Sequence, residues 1–133
     1  MIAAQASRPI GLRFCVLGIS AATVLSGALQ LAFPNFVLGF VASGPAVPMA
    51  AHFFAIIGMF MLLFGMLLLH ALLSPGDPRV VLLWCALQKL GASAAVGIGV
   101  GRGIFSNLAL AIAAFDCFSG LIFFWYRSQK SLE

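Results

Sequence analysis

The sequence predicts an all-α integral membrane protein, an antiparallel bundle of four transmembrane helices. Of its 133 residues, 63% are hydrophobic and 8% are charged, whereas about a quarter of the residues in soluble domains are charged. Four apolar stretches are each long enough to cross a hydrocarbon core of about 30 Å, and a helix satisfies its own backbone hydrogen bonds in lipid. The charges that give the net +4 are scattered singly along the chain, which is not the pattern of a nucleic-acid-binding surface.

The first two spans are predicted at about residues 10–33 and 49–73. Arg8 and Arg13 flank the start of the first apolar run as in a secretory signal, but no convincing cleavage site follows it. We therefore expect an uncleaved span. The second span carries no charged residue. The connection at 34–48 is too short to cross and too apolar for water, so we expect it to lie in the outer interface or to cap the bundle.

Spans three and four are predicted at about residues 80–101 and 104–126, separated by the short Arg102-Gly103 corner, and the whole chain 1–133 forms one domain. With four spans, both termini and the turn at 74–79 fall on one side of the membrane. That side carries Arg8, Arg13, Arg79, Arg127 and Lys130, and the other side carries Arg102. Because the cytoplasmic side takes the excess of lysine and arginine, we expect both termini in the cytoplasm and the protein in the inner membrane.

Small residues indicate where helices approach closely in lipid. The third span has a ladder of small residues at four-residue spacing, and the second has two glycines seven residues apart, which lie on one face. The predicted packing residues are Gly91, Ala95, Gly99 and Gly103 in the first set, and Gly58 and Gly65 in the second.

Two opposite charges lie deep in apolar sequence, Lys89 in the third span and Asp116 in the fourth. Counted from Arg79 and Arg127 at the same membrane surface, their heights differ by about 1.5 Å. A lone charge at this depth costs at least ~2.5–3.5 kcal/mol, so we expect the two side chains to face inward and to pair.

Three other polar residues are candidates to surround this pair: Ser20 and Thr23 at the same level in the first span, and Gln88 beside Lys89. Two interpretations remain open. The pair either fixes which helices are neighbours or forms part of a small polar cavity that binds a head group, an anion or a proton in transit.

The remaining polar and aromatic candidates lie near the predicted span ends. His52 and His70 are 18 residues apart, about 27 Å along a helix, so they cannot hold one metal ion, and no metal site is predicted. We expect an interface role for both histidines, and for Arg13, Trp125 and Arg127, because such amphipathic side chains are typical of the membrane surface.

Gly58 and Gly65, the Asp77-Pro78-Arg79 turn and Gln88-Lys89-Leu90-Gly91 make the chain similar to the small four-span bacterial proteins called DoxX-like. The resemblance covers the chain length, the number of spans, the long first loop and the tight second turn. It implies an accessory protein of the cytoplasmic membrane, sometimes tied to oxidoreductase complexes. It transfers no functional residue, and the glycine-rich third span departs from the group.

These features favour a non-catalytic accessory or anchor subunit that binds a partner or a lipid-like molecule around Lys89 and Asp116. One alternative is an oligomeric transporter or proton relay that uses the same pair, with the surface formed by Gly58, Gly65 and the neighbouring phenylalanines and methionines of the second span as a candidate contact between copies. Another is a lipid-active or quinone-active membrane enzyme. No catalytic residue and no cofactor are predicted, although a bound lipid or quinone stays open. The expected partners are membrane lipid and either a larger membrane complex or further copies of the chain.

Overall fold

The computed structural model describes residues 9–129, which form five helices and no strand. The helices are α1 (Ile10–Ala32), α2 (Pro34–Val41), α3 (Pro48–Leu73), α4 (Arg79–Gly101) and α5 (Leu108–Ser128). Four of them, α1, α3, α4 and α5, are long and apolar enough to cross a membrane and correspond to the four predicted spans. Arg8 and Lys130, which entered the topology prediction, lie outside the described residues.

Prolines and one tight turn set the helix boundaries. Pro34 and Pro48 stand at the first positions of α2 and α3, where the missing N–H is not needed and the ring fixes a helical φ. Before α4, Gly76 adopts a φ of 127°, and the side chain of Asp77 accepts a hydrogen bond from the backbone N–H of Arg79 at 3.1 Å. The chain therefore reverses within a few residues.

The connection at 34–48 covers one end of the long helices. Its first half is α2, which packs on α1, α3 and α5. Leu38 and Val41 of α2 form an apolar cluster with Ala51 of α3 and Ala109 of α5. The segment therefore caps these helices, which is one of the two positions predicted for it.

The fourth long helix begins at Leu108, four residues later than predicted. The backbone of the preceding residues bonds elsewhere: the N–H of Ile104 donates to the carbonyl of Gly99, and the N–H of Ser106 donates to the carbonyl of Val41. These bonds tie the connection to the end of α4 and to α2, so its apolar residues do not continue a helix.

Glycines allow α1 and α3 to approach closely. A Cβ at Gly27 would lie 2.5 Å from the backbone nitrogen of Leu62, and one at Gly58 would lie 2.7 Å from that of Leu31. Gly65 is likewise covered by α1. Gly58 and Gly65 therefore pack within the chain and do not contribute to the candidate contact surface between copies, whereas Met59, Phe60 and Met66 beside them are exposed.

Within residues 9–129, the predicted ladder of small residues in the third span does not pack on another helix. Gly91 and Ala95 are exposed, and no atom lies within 4 Å of a Cβ built at Gly91. Gly99 is buried, but against the ring of Phe105 in the following connection. Gly103 lies beyond α4, at a φ of 72° that favours glycine.

α4 meets α5 on a different face. Leu90 and the carbonyl of Ala86 crowd Gly120 of α5, and the hydroxyl of Ser93 donates to the carbonyl of Ala113 at 2.7 Å. Lys89 belongs to the same face of α4. Gly91, two residues further, points about 200° away from it, which explains why the ladder faces outward.

Candidate functional site

The predicted pair is present. Nζ of Lys89 lies 2.7 Å from Oδ1 of Asp116, and the two side chains are 3% and 9% exposed. The ammonium also lies 5.4 Å from the ring centroid of Phe115, within the range of a cation–π contact. The two charges thus compensate each other in the middle of the helices.

The pair leaves much of its hydrogen-bonding capacity unused. An ammonium has three donors, and a carboxylate has two accepting oxygens. Within residues 9–129, the bond between Nζ and Oδ1 is the one hydrogen bond that either side chain makes. Two protons of Lys89 and Oδ2 of Asp116 therefore have no partner there.

Both residues lie at the bottom of a cleft of about 370 Å³ between α1 and α5. This volume is within the ~300–1,000 Å³ of small-molecule sites. Three apolar wall residues, Leu29, Ile112 and Phe115, are 45%, 42% and 44% exposed, so the cleft opens on the flank of the helices. The cleft also includes Thr23, Ser26 and Gln30 of α1, Val37 of α2, Met61 of α3 and Ala111 of α5.

The cleft has polar groups near its floor and apolar groups on its walls. Gln30 donates from Nε2 to the carbonyl of Phe54 at 2.8 Å, which leaves its Oε1 as an acceptor. The wall residues gave no signal in the sequence, because an apolar side chain facing a cleft and one facing lipid look the same in composition. Gln30 does carry a sequence signal, because it is an amide in an apolar span and shares the helical spacing of Ser20 and Thr23.

Ser20, Thr23 and Gln88 lie close to the pair without bonding to it. The hydroxyls of Ser20 and Thr23 donate to carbonyls four residues earlier in α1, at 2.8 and 2.9 Å. All three side chains border a second, much smaller space of about 10 Å³ beside Lys89, which is at the lower limit for one water molecule. Thr23 borders the large cleft as well.

Two predicted interface arginines tie helix ends together. Arg13 of α1 donates to the carbonyl of Leu72 near the end of α3, at 3.2 Å. Nε of Arg127 in α5 donates to the carbonyl of Arg79 at the start of α4, also at 3.2 Å. The cationic end of the molecule is therefore built from side chains that cross between helices.

His52, His70 and Trp125, the other predicted interface residues, are exposed near the ends of α3 and α5. They lie outside the cleft. The structure therefore does not bring them together with Lys89 and Asp116.

Comparison with known proteins gives no matching family model, no matching curated protein and no matching solved structure. The function is therefore argued from the geometry of the cleft.

Proposed function

We propose that this chain is an inner-membrane protein whose four long helices form an antiparallel transmembrane bundle with both termini in the cytoplasm. Its role is that of a non-catalytic accessory or anchor subunit that holds a lipid-like molecule in the cleft above Lys89 and Asp116. The proposal agrees with the resemblance to the DoxX-like group.

The observation that carries the proposal is the composition of the cleft. An apolar cavity that opens on the flank of a helical bundle is reached from the acyl chains of the bilayer. Leu29, Ile112 and Phe115 supply apolar walls, and a buried ion pair with unused hydrogen-bonding capacity supplies a polar floor. Binding sites for small molecules combine these features, since the apolar walls give affinity and a few polar groups fix orientation.

Holding a ligand is favoured over conducting one through a single chain. The cleft extends from the pair towards α2. On the other side of the pair, a tightly packed cluster fills the space between the helices, and it includes the fully buried Val16, Leu68, Leu82 and Phe123. A molecule or ion that reaches the pair from the cleft meets this cluster, and the polar space beside Lys89 within residues 9–129 measures only about 10 Å³.

The charged residues at the two ends support the proposed orientation. Arg13, Arg79 and Arg127 gather where α1, α3, α4 and α5 meet opposite α2, whereas Arg102 lies at the α2 end. The positive-inside rule places the arginine-rich end in the cytoplasm. The cleft then lies in the outer half of the bilayer.

The test is the lipid content of the purified protein. Ile112→Trp places a large ring in the cleft, and Leu121→Trp is the matched control because position 121 is nine residues further and therefore about 180° around α5. Both residues are exposed, so neither change overpacks the core.

Protein extracted gently from membranes is analysed by mass spectrometry of its organic extract. We expect one lipid-like molecule at near-equimolar amount in the natural protein and in Leu121→Trp, and its loss in Ile112→Trp. Equal content in all three proteins, or no enriched molecule in the natural one, would refute the proposed function.

A further inference from the structure

The charge of the cleft restricts what its floor can bind. Lys89 and Asp116 sum to zero, and their charged atoms are 2.7 Å apart. Of the residues that border the cleft, these two alone are ionisable. An anion attracted by the ammonium is repelled by the neighbouring carboxylate, and a cation attracted by the carboxylate is repelled by the ammonium. The floor therefore gives no net attraction to a charged head group.

The unused hydrogen-bonding capacity of the pair is of two kinds. Lys89 offers donors, and Oδ2 of Asp116 offers an acceptor. A group that both accepts and donates satisfies the two sides at once, and hydrogen bonds to charged partners are stronger than those between neutral groups. A hydroxyl is the simplest such group. A group that only accepts, such as an ether, satisfies Lys89 alone.

The depth of the pair in the membrane also argues against a charged ligand group. Lys89 stands ten residues, or about 15 Å, from the start of α4 and twelve residues, or about 18 Å, from its end. This is close to the centre of a hydrocarbon core of about 30 Å. Charged phospholipid head groups stay at the surface because moving a charge to this depth is costly. The polar group that reaches the pair must be small and uncharged.

We propose that the cleft takes an apolar molecule that carries a single uncharged group able both to donate and to accept a hydrogen bond, such as a long-chain alcohol, with that group bound between Nζ of Lys89 and Oδ2 of Asp116. This inference rests on the proposed function and names the ligand class of the same cleft. Leu29, Ile112 and Phe115 hold the apolar body.

The experiment uses a long-chain alcohol that carries a photoreactive diazirine in its chain, added to the full protein in lipid nanodiscs. Labelled peptides are mapped by mass spectrometry. Unlabelled competitors share one chain and differ at its end: the alkane, the methyl ether, the alcohol, the sulfate and the trimethylammonium ion. A diazirine alkane, labelled in parallel, reports binding that needs no polar group.

We expect the alcohol probe to label the cleft walls formed by Leu29 and Ile112. The alcohol should compete at least tenfold better than the alkane, a difference equivalent to about 1.4 kcal/mol. The ether should compete with intermediate strength, and both charged analogues should compete less well than the alcohol.

The double variant with Lys89→Met and Asp116→Leu tests the floor with an apolar pair of similar volume. The alcohol should lose its advantage over the alkane there, while Arg102→Met, which removes an exposed cation that does not border the cleft, should keep it. Circular dichroism and gel filtration verify that both variants are folded. An alcohol advantage that persists in the double variant would refute the assignment of the hydroxyl to the pair.

The remaining outcomes separate this inference from the proposed function. Equal labelling of the cleft by the alcohol and alkane probes would overturn the polar-group inference and leave a lipid-holding cleft. Stronger competition by either charged analogue would overturn it as well. No labelling of the cleft by any probe would refute both.

Discussion

Breaking the pair of Lys89 and Asp116 one side at a time should cost far more than replacing both sides together. Both side chains are almost fully buried, and within the described part of the chain each is the other's hydrogen-bond partner. Lys89→Met leaves a carboxylate without its counter-charge, and Asp116→Leu leaves an ammonium in the same condition. Each single change should therefore lower the free energy of unfolding by about 3 kcal/mol.

The double variant removes both charges and fills the space with apolar atoms. Its cost should be about 0–1 kcal/mol, because apolar replacements of buried pairs are often neutral or stabilising. The coupling energy of the double-mutant cycle is then about 5 kcal/mol. Arg102→Met, at an exposed cation, is the control and should change stability by less than about 0.5 kcal/mol.

The assay is reversible unfolding in mixed micelles with increasing denaturing detergent, followed by far-ultraviolet circular dichroism. A double variant that is destabilised by the sum of its two single variants would show that the residues do not act as a pair. Single variants as stable as the natural protein would refute the buried position of the charges.

Three further outcomes are expected. Gly27→Leu should lower the free energy of unfolding by at least about 2 kcal/mol, because a Cβ there lies 2.5 Å from the nitrogen of Leu62. Gly91→Leu should be neutral or stabilising in the same micelle assay, because no other segment of residues 9–129 comes within 4 Å of a Cβ there. Equal effects of the two changes would contradict the described faces. Gly103→Ala should cost about 1 kcal/mol in that assay because of its φ of 72°, and an unchanged or raised stability would show that this turn is relaxed. A reporter enzyme that works only outside the cytoplasm should stay inactive when fused after Glu133, and activity there would invert the proposed orientation.

The long helices and the ion pair could be predicted because each depends on a quantity that can be counted along the chain. Span length and apolar content identify the four long helices, with errors of at most four residues at their ends. Lys89 and Asp116 could be paired because their distances from the ends of adjacent spans match, and because isolated charges at that depth are unfavourable.

The packing faces could not be predicted from spacing alone. Gly91 and Ala95 have the spacing of a packing ladder, but the position of Lys89 decides which side of α4 faces inward, and the ladder lies on the other side. Gly120 belongs to no repeat of small residues in the sequence, yet the side chain of Leu90 packs directly against it. The spacing of small residues identifies one face of a helix, but it does not identify the segment against which that face packs.

The cleft could not be predicted from the sequence, because its wall residues resemble residues that face lipid. Its walls are apolar residues such as Ile112 and Phe115, and a membrane span contains many apolar residues that face lipid. The apolar Ile104 predicts an earlier start of α5 than the structure has, because its backbone N–H donates to the carbonyl of Gly99 and closes a turn. Both features depend on how separate segments meet in space.

The most direct test of the lipid-holding cleft is a high-resolution map of the protein purified in native-membrane nanodiscs, without added detergent. The account predicts elongated density that enters between α1 and α5 beside Ile112 and ends within hydrogen-bond distance of Lys89 Nζ and Asp116 Oδ2. A cleft filled by the protein's own side chains, or Lys89 and Asp116 separated beyond contact, would contradict it.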